Sequence, residues 1–584
     1  MFKNYLKVNE THLCRRPLGN ISVLSNLNIP PLLKQLYIQR GITKPCELEL
    51  NIDKLLNYST ITGIEQAAII LAQAIIDKLN ILIVGDYDTD GATSTALVLL
   101  SLKKMGAKNI NFIIPKRFEE HHGISPAIVE QALLLNTKII ITVDNGISSY
   151  DGVNLASSKG INVLITDHHL PSNKLPLAAA IVNPNLDSCL FPSKALAGVG
   201  VTFYLMLALR AQLYELGWFS KNSIVIPNLV NLLDLVALGT IADMVPLDTN
   251  NRILVFQGIR RIRAGYCCPG IIALAQVAKV NINTLCEHDL SFAISPRLNA
   301  AGRIDDMSLG VTLLTTNNMS KAIILAKQLD QLNKTRKKIE QTMEIQALEL
   351  CKEIEYKKGD IPLGLSLYHP KWHHGIIGIL ASRLKKKFNR PVITFASTSL
   401  NLVKGSCRSI EGVNIYQILN KLNLRYPGMI LQFGGHAMAA GLTLEEQKLK
   451  IFTNRFENII KKIIVPSMLK NIIWSDGELT NDQLSILTAK IIKNGGPWGE
   501  NFSYPLFDGE FIILNQQIIN KKHLIMKLKP ITNGPLVSGI IFNMTNFIKL
   551  NCKQNKIKLA YQLNINNFYG KSNLQLLIQY FWKI

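Results

Sequence analysis

The sequence predicts an α/β protein: a domain built on a parallel sheet, a long connecting helix, a second and smaller α/β domain, and a C-terminal β-barrel of OB-like type. Three observations carry this expectation. Apolar, β-branched runs at 81–84, 138–143 and 162–166 are separated by helix-length segments, the pattern of parallel strands. Segment 321–356 is charged, lacks Gly and Pro, and spaces its apolar residues as a helix does. Beyond residue 466 the chain breaks into short β-like runs with turns, as small barrels do. The expected boundaries are 1–55 for a helical lead-in, 56–320 for the first α/β domain, 321–356 for the connector, 357–465 for the second α/β domain and 466–584 for the barrel.

Bulk properties agree with several folded domains. At 584 residues the chain exceeds what one ordinary core serves. Lys and Arg number 64 against 41 Asp and Glu, a net +23 that points to a polyanion, most simply nucleic acid. An AT-biased genome, which enriches Ile, Lys and Asn, would give a similar excess. The nine cysteines are odd in number and show no C-x-x-C spacing, which argues against a disulfide framework or structural zinc and for a reducing compartment. The first residues lack the apolar block of a signal peptide, and no apolar run reaches the ~18 residues of a membrane span. A cytoplasmic location is expected.

Taken in order, the lead-in is polar and offers no chemistry. An Ala-rich helix is expected over 65–79, then the strand at 81–84. Gly85-Asp86-Tyr87-Asp88-Thr89-Asp90-Gly91 follows, with aspartates on alternate positions, before a helix over 96–105. Alternate residues of an extended segment point the same way. Crowded carboxylates repel one another and add nothing to a core, so a hard divalent cation is the simplest compensation. Open α/β sheets bind ligands at that strand end. A polar turn with one Asp capping a helix explains a single aspartate and leaves two.

After a strand over 109–115 comes a polar loop with Arg117, His121 and His122, adjacent histidines that make a poor chelating pair. The strand at 138–143 ends in Asp144-Asn145-Gly146, and that at 162–166 in Asp167-His168-His169. Parallel strands align their C-terminal ends, so Asp88, Asp90, Asp144 and His168 can converge. A long apolar helix including 229–238 leads to Asp243, either a helix C-terminal residue or a further ligand. The Ser295-Pro296-Arg297-Leu298-Asn299-Ala300-Ala301-Gly302-Arg303 cluster suits phosphate binding through forked donors, or forms a surface turn. Lys334, Arg336, Lys337 and Lys338 on the connector are expected on a solvated face. In the second α/β domain, Trp372-His373-His374-Gly375, Ser406-Cys407-Arg408 and Gly434-Gly435-His436 set donors beside small residues, which suits a phosphate and equally describes tight turns. In the barrel, Trp498, Phe502 and Tyr504 either stack on bases or fill the core.

At Asp167-His168-His169 the pattern resembles the DHH phosphoesterase superfamily. The order Gly85-Asp86-Tyr87-Asp88-Thr89-Asp90-Gly91, Val143-Asp144-Asn145-Gly146, Asp167-His168-His169, Gly239-Thr240-Ile241-Ala242-Asp243 matches its four catalytic motifs. The Ser295 to Arg303 cluster, Ser406 with Arg408, and Gly434-Gly435-His436 extend the likeness over nearly the whole chain, toward the superfamily's single-strand-specific DNA exonucleases. The resemblance implies a DHH catalytic domain, a DHH-associated substrate-binding domain and two Mg²⁺ or Mn²⁺ ions. Asp90, Asp144, His168 and Asp243 would hold one ion, and Asp88 with the shared Asp144 the other, with Asp86 close by. His169 would touch the scissile phosphate or its attacking water, and with Asp144 and Asp90 make the catalytic core. Arg117, Ser406 and Arg408 would grip the 5′-phosphate end, while Arg297, Asn299, Arg303 and His436 lie near the strand backbone. Some members carry a His four residues before the middle aspartate, where this chain has Val84, a departure that implies a more hydrated second ion.

The expected function is a 5′→3′ exonuclease specific for single-stranded DNA, which releases 5′-mononucleotides in recombination and repair. Carboxylates with an imidazole suit Mg²⁺ or Mn²⁺ better than zinc. Two such ions about 3.5–4 Å apart activate a water and hold both attacking and leaving oxygens. A helicase and a single-strand-binding protein are expected as partners of a monomer, with no membrane. Two alternatives stand. One is a phosphoesterase of the superfamily acting on short oligoribonucleotides or nucleotide bisphosphates, disfavoured by length and charge. The other is an inactive strand-binding relative, disfavoured because every motif acid is present.

Overall fold

The structure is a computed structural model that describes residues 11–116, 123–172, 174–398, 401–520, 523–542, 555–568 and 571–584. Strand β1 (Thr11–Arg15) is followed in the chain by β2 (Ile81–Gly85), β3 (Ile110–Ile113), β4 (Ile139–Val143), β5 (Asn162–Thr166) and β6 (Ala180–Val182). Strands β2 to β6 form one parallel sheet in the order β3-β2-β4-β5-β6. Every residue of β2 and β4 is buried, as a strand covered on both faces requires. Ile81 and Ile83 join the large core that includes helices Ile64–Ile76, Thr89–Lys104 and Gly198–Glu215. Leu82 and Val84 point the other way, onto helices Pro126–Leu134 and Tyr150–Ser158. The chain leaves β2 for β3 on one side and returns to β4 on the other. The strand order therefore reverses at β2, and the crevice beyond the C-terminal ends of β2 and β4 is the switch point where such sheets bind ligands.

The second α/β unit holds β7 (Leu365–Tyr368), β8 (Val392–Ser397), β9 (Leu402–Arg408), β10 (Gln432–Gly435) and β11 (Ala439–Glu445) in the order β10-β11-β9-β8-β7. The connecting helix runs Met319–Lys358. Its first half gives Ala322, Ala326 and Leu329 to the first core, and its second half gives Met343, Ala347 and Cys351 to the second unit. One helix thus belongs to two cores and spaces them rigidly. Arg336 is not on a solvated face: it is buried beside Glu340, which it meets at 2.6 Å and which also pairs with Arg383 of helix Ile377–Phe388.

Strand β12 (Asn471–Ser475) precedes a closed barrel of β13 (Phe507–Ile519), β14 (His523–Pro530), β15 (Val537–Ile541), β16 (Lys556–Phe568) and β17 (Lys571–Lys583), in the order β13-β14-β15-β17-β16. One sequence expectation fails here. The lead-in is not uniformly helical, because β1 pairs in parallel with β12. A strand whose partner lies at the far end of the chain leaves no local signal. Of the two readings of Trp498 and Phe502, the core one holds: both are 3% exposed, stacked on each other at 5.3 Å and on Tyr37 of helix Pro31–Ile38. They weld the barrel to the lead-in. Arg40 forks onto Asp476 at 2.9 and 3.0 Å, and Arg15 reaches Asp508 at 2.7 Å.

Two further segments differ from expectation. Residues 229–238 do not lie on one long helix; a 3₁₀ turn (Leu229–Leu232) leads into helix Leu233–Asp243. The Ser295 cluster is no surface turn. It is the helix Ser295–Ile304, with Ser295, Leu298, Ala300, Ala301 and Gly302 buried. Among the described residues no single helix is long and apolar enough to cross a membrane.

The buried Arg40–Asp476 fork yields a stability test. Asp476→Ala strands a guanidinium whose side chain is 1% exposed. It should lower the stability of the barrel junction by about 3–5 kcal/mol in urea unfolding, and Asp476→Asn, which keeps an acceptor, should cost less.

Candidate metal centre

The aspartate stretch is only half extended. Asp88 ends the extended part as N-cap of helix Thr89–Lys104, its Oδ1 accepting the Gly91 N–H at 3.0 Å. Asp90 therefore sits in the first helical turn, not on a strand-like continuation. The expected helix over 96–105 begins earlier because these capping carboxylates start it. Asp88 takes the simple capping role and still stands in the acid cluster.

Asp90 is 1% exposed, and both its oxygens face the start of helix Gly198–Glu215: Gly198 N–H donates at 2.6 Å and Val199 N–H at 2.9 Å. A helix N-terminus offers donors and a positive dipole end. Burial, then the charges of Asp243 and Asp88, push the Asp90 carboxyl well above the ordinary range. Asp144 follows β4 in a left-handed conformation with φ +63°, and is 2% exposed. Burial, then Asp90, Asp88 and Asp86, raise it in the same direction. Asp243 closes helix Leu233–Asp243, and burial raises it too.

These groups converge. Ligand atoms of Asp86, Asp88 and Asp144 lie within 4.8 Å of one another, as do those of Asp90, His168 and Asp243, and those of Asp144, His168 and His169. His168 Nε2 is 3.1 Å from Asp144 Oδ1 and 3.5 Å from Asp243 Oδ2. Yet His168 Nε2 and Asp144 Oδ1 are both buried without a hydrogen-bond partner. A buried imidazole nitrogen and a buried carboxylate oxygen that converge in this way make a donor set a cation can satisfy. The donor set, carboxylates with one or two imidazoles, fits Mg²⁺ or Mn²⁺.

His169 has a different setting. Its Nδ1 lies 2.7 Å from Oδ1 of Asp167, a residue 1% exposed whose carboxylate also accepts the N–H groups of Ile147, His168 and His169. Burial lowers the imidazole, but the Asp167 bond, with the charges of Asp86 and Asp243, outweighs it and holds His169 at about 10. Burial likewise opposes the lowering of Asp167, and the His169 bond overcomes it. The His436 ring from the second unit lies parallel to that of His169, 6.5 Å away and 7° off plane.

Several predicted residues face elsewhere. Arg297 pairs with Asp330 of the connecting helix at 2.9 Å. Asn299 Oδ1 accepts from Thr89, and Arg303 donates to the Gly375 carbonyl of the second unit at 3.3 Å. None of the three joins the acid cluster. Ser406 and Arg408 form their own cradle at the start of helix Ile377–Phe388, with Arg408 Nη1 3.3 Å from Ser406 Oγ. A Cβ at Gly378 would lie 3.1 Å from Ser406 Oγ, so its absence keeps that cradle open. Arg117 lies outside the described residues, as do His121 and His122. Val84 is fully buried in the apolar layer behind the sheet.

Sequence reasoning missed the supports. Asn183 and Asn185, on either side of Pro184 after β6, donate to the carbonyls of His169 and His168 at 2.9 and 2.6 Å. Asn145 ties the carbonyls of Val84 and Val143 together. Gly198 lets its helix reach Asp144, because a Cβ there would fall 2.6 Å from the Asp144 Cβ. The Asn-Pro-Asn triplet after a strand was a visible signal; Gly198 had none.

This organisation has counterparts among known proteins. The family model described as DHH family, N-terminal domain, matches residues 80–240; the DHHA1 domain matches 362–462 and the RecJ OB domain 475–580. The single-stranded-DNA-specific exonuclease RecJ of Dickeya dadantii is 49% identical over 574 residues, covering 98% of this chain and 99% of its own length. That of Escherichia coli is 50% identical over 556 residues, covering 95% and 96%. The crystal structure of RecJ in complex with Mn²⁺ from Thermus thermophilus matches with TM-score 0.80 and 25% identity, covering 98% of this chain and 80% of that one.

The raised carboxyls predict a pH-dependent response to ions. Between the ordinary carboxyl range and the raised values, the ion-free fold keeps protons that the unfolded chain releases, so its stability falls as pH rises through that window. Divalent ions replace those protons. The rise in melting temperature on adding Mn²⁺ should therefore be large near about pH 7.5 and small near about pH 5. Equal shifts at both pH values would contradict buried acids as the ligands.

Proposed function

The chain belongs to the family of single-stranded-DNA-specific exonucleases RecJ, and from that membership we propose that it hydrolyses single-stranded DNA from the 5′ end with the help of two divalent ions, Mn²⁺ or Mg²⁺. The single observation that carries the metal reading is the facing, partnerless pair Asp144 Oδ1 and His168 Nε2 at the centre of the acids. Asp90, His168 and Asp243 with Asp144 hold one ion; Asp86, Asp88 and the shared Asp144 hold the other. When bound, the ions lower the pKa of an attacking water and offset charge on the attacking and leaving oxygens.

The chain's own residues do the rest. His169, held through Nδ1 by the Asp167 carboxylate, is oriented to contact the scissile phosphate or its attacking water. His436 closes over the same phosphate from the second unit. Ser406 and Arg408 take the terminal 5′-phosphate, and this sets the direction. The leaving group is the 3′-oxygen of the terminal nucleotide, and the product is a 5′-mononucleotide. Arg297 and Arg303 lie along the strand's path, though their described bonds tie the units together. The cleft between the two α/β units excludes a duplex. Such an enzyme depends on others to separate strands, so a helicase and a single-strand-binding protein are its natural partners in recombination and repair. The net +23 suits the polyanion. We place it in the cytoplasm as a monomer.

End-labelled strands test the reading. With Mn²⁺, a 5′-labelled single strand should release labelled mononucleotide at once, a 3′-labelled one only late, and a duplex neither. Asp144→Ala should abolish cleavage and leave strand binding largely intact, while His169→Ala should lower kcat roughly 10²–10³-fold. Cleavage by Asp144→Ala at the parent rate would sink the two-ion reading.

A further inference from the structure

Thr89 separates Asp88 from Asp90, two aspartates assigned above to different ions. It is fully buried. As the first residue of its helix it has no intrahelical partner for its N–H. Asn299 supplies one: its Oδ1 accepts the Thr89 N–H at 2.8 Å and lies 2.9 Å from the Thr89 hydroxyl. That hydroxyl is also 3.3 Å from the Ser295 carbonyl. One turn on from Asn299, Gly302 meets the residue on the other side of Asp88. A Cβ at Gly302 would stand 1.7 Å from the Tyr87 carbonyl oxygen, so only glycine permits that approach. Positions 295, 299 and 302 share one helix face. The face therefore clamps both residues that flank Asp88. The clamp itself is anchored, through Arg297 on Asp330 of the connecting helix and Arg303 on the Gly375 carbonyl of the second unit.

We propose that Asn299 is a positioning residue for the ion sites: through Thr89 it sets the turn that sends Asp88 toward one ion and Asp90 toward the other. This rests on the two-ion reading above. It gives Asn299 a role different from strand contact, because the Asn299 oxygen is spent inside the protein. Without that oxygen the start of the helix relaxes, the two carboxylates lose their fixed spacing, and ion affinity falls before strand affinity does.

The test titrates Mn²⁺ into the full-length protein and follows free Mn²⁺ by electron paramagnetic resonance, with strand affinity measured separately in EDTA. Parent protein should bind two ions. Asn299→Ala should bind Mn²⁺ at least about tenfold more weakly at one or both sites, with strand affinity within about twofold. Asn299→Asp, which keeps an acceptor in place, should restore most of the ion affinity. Thr89→Val, which removes only the hydroxyl, should show a smaller loss and serves if Asn299→Ala proves unstable in melting. Unchanged Mn²⁺ affinity in Asn299→Ala and Thr89→Val would overturn the proposal, as would a loss confined to strand affinity. Failure of the parent protein to bind two ions would instead remove the two-ion reading on which it stands.

Discussion

Mutual repulsion of buried carboxylates is the constraint around which this molecule is arranged. Ligand atoms of Asp86, Asp88 and Asp144 lie within 4.8 Å of one another, and Asp90 and Asp243 stand close by. At an effective dielectric constant near 20, each such pair costs at least about 3.5 kcal/mol when both are ionised. The fold does not relieve this by spreading the acids. It offsets part of it with fixed donors: the N-terminal N–H groups of helix Gly198–Glu215 on Asp90, and the Gly91 N–H on Asp88. Asp144 Oδ1 and His168 Nε2 receive no such help from the chain. A site braced at its edges and open at its centre leaves that charge to be offset by protons or by cations.

The architecture follows from keeping those acids together. Parallel strands bring the ends of β2, β4 and β5 to one edge, and the strand reversal at β2 opens a crevice there. Helices then reach the edge by giving up side chains, at Gly198 against Asp144 and at Gly302 against the Tyr87 carbonyl. The connecting helix shares its residues between two cores, so the second unit is held at a set distance. That distance brings His436 parallel to His169, one imidazole from each unit. Strand β1 and the Tyr37, Trp498, Phe502 stack draw the barrel back to the lead-in, so the far ends of the chain brace one another.

Much of this could be read from residues alone, and the limits have physical causes. The strands were legible because buried parallel strands are continuous apolar runs, and the clustered acids and imidazoles because they directly follow such runs, whose ends align at one edge. The connecting helix was legible from its period and its lack of Gly and Pro. Contacts that depend on distant partners were not. Arg297 and Asn299 look like free polar groups in sequence, but Asp330 accepts from Arg297 and Thr89 donates to Asn299. Trp498 and Phe502 read in sequence as a stacking platform or as core, and only the distant Tyr37 decides for the core. Arg336 looks solvated until Glu340 and the second unit enclose it. Polar and aromatic side chains announce that they need a partner without saying which.

The most direct measurement is anomalous diffraction at the manganese edge from crystals of the protein soaked in Mn²⁺. The account predicts two peaks at the sheet edge, one among Asp90, His168 and Asp243, the other among Asp86 and Asp88, with the Asp144 carboxylate between them. A single peak, or peaks away from Asp144 with its Oδ1 turned to a protein donor, would contradict it.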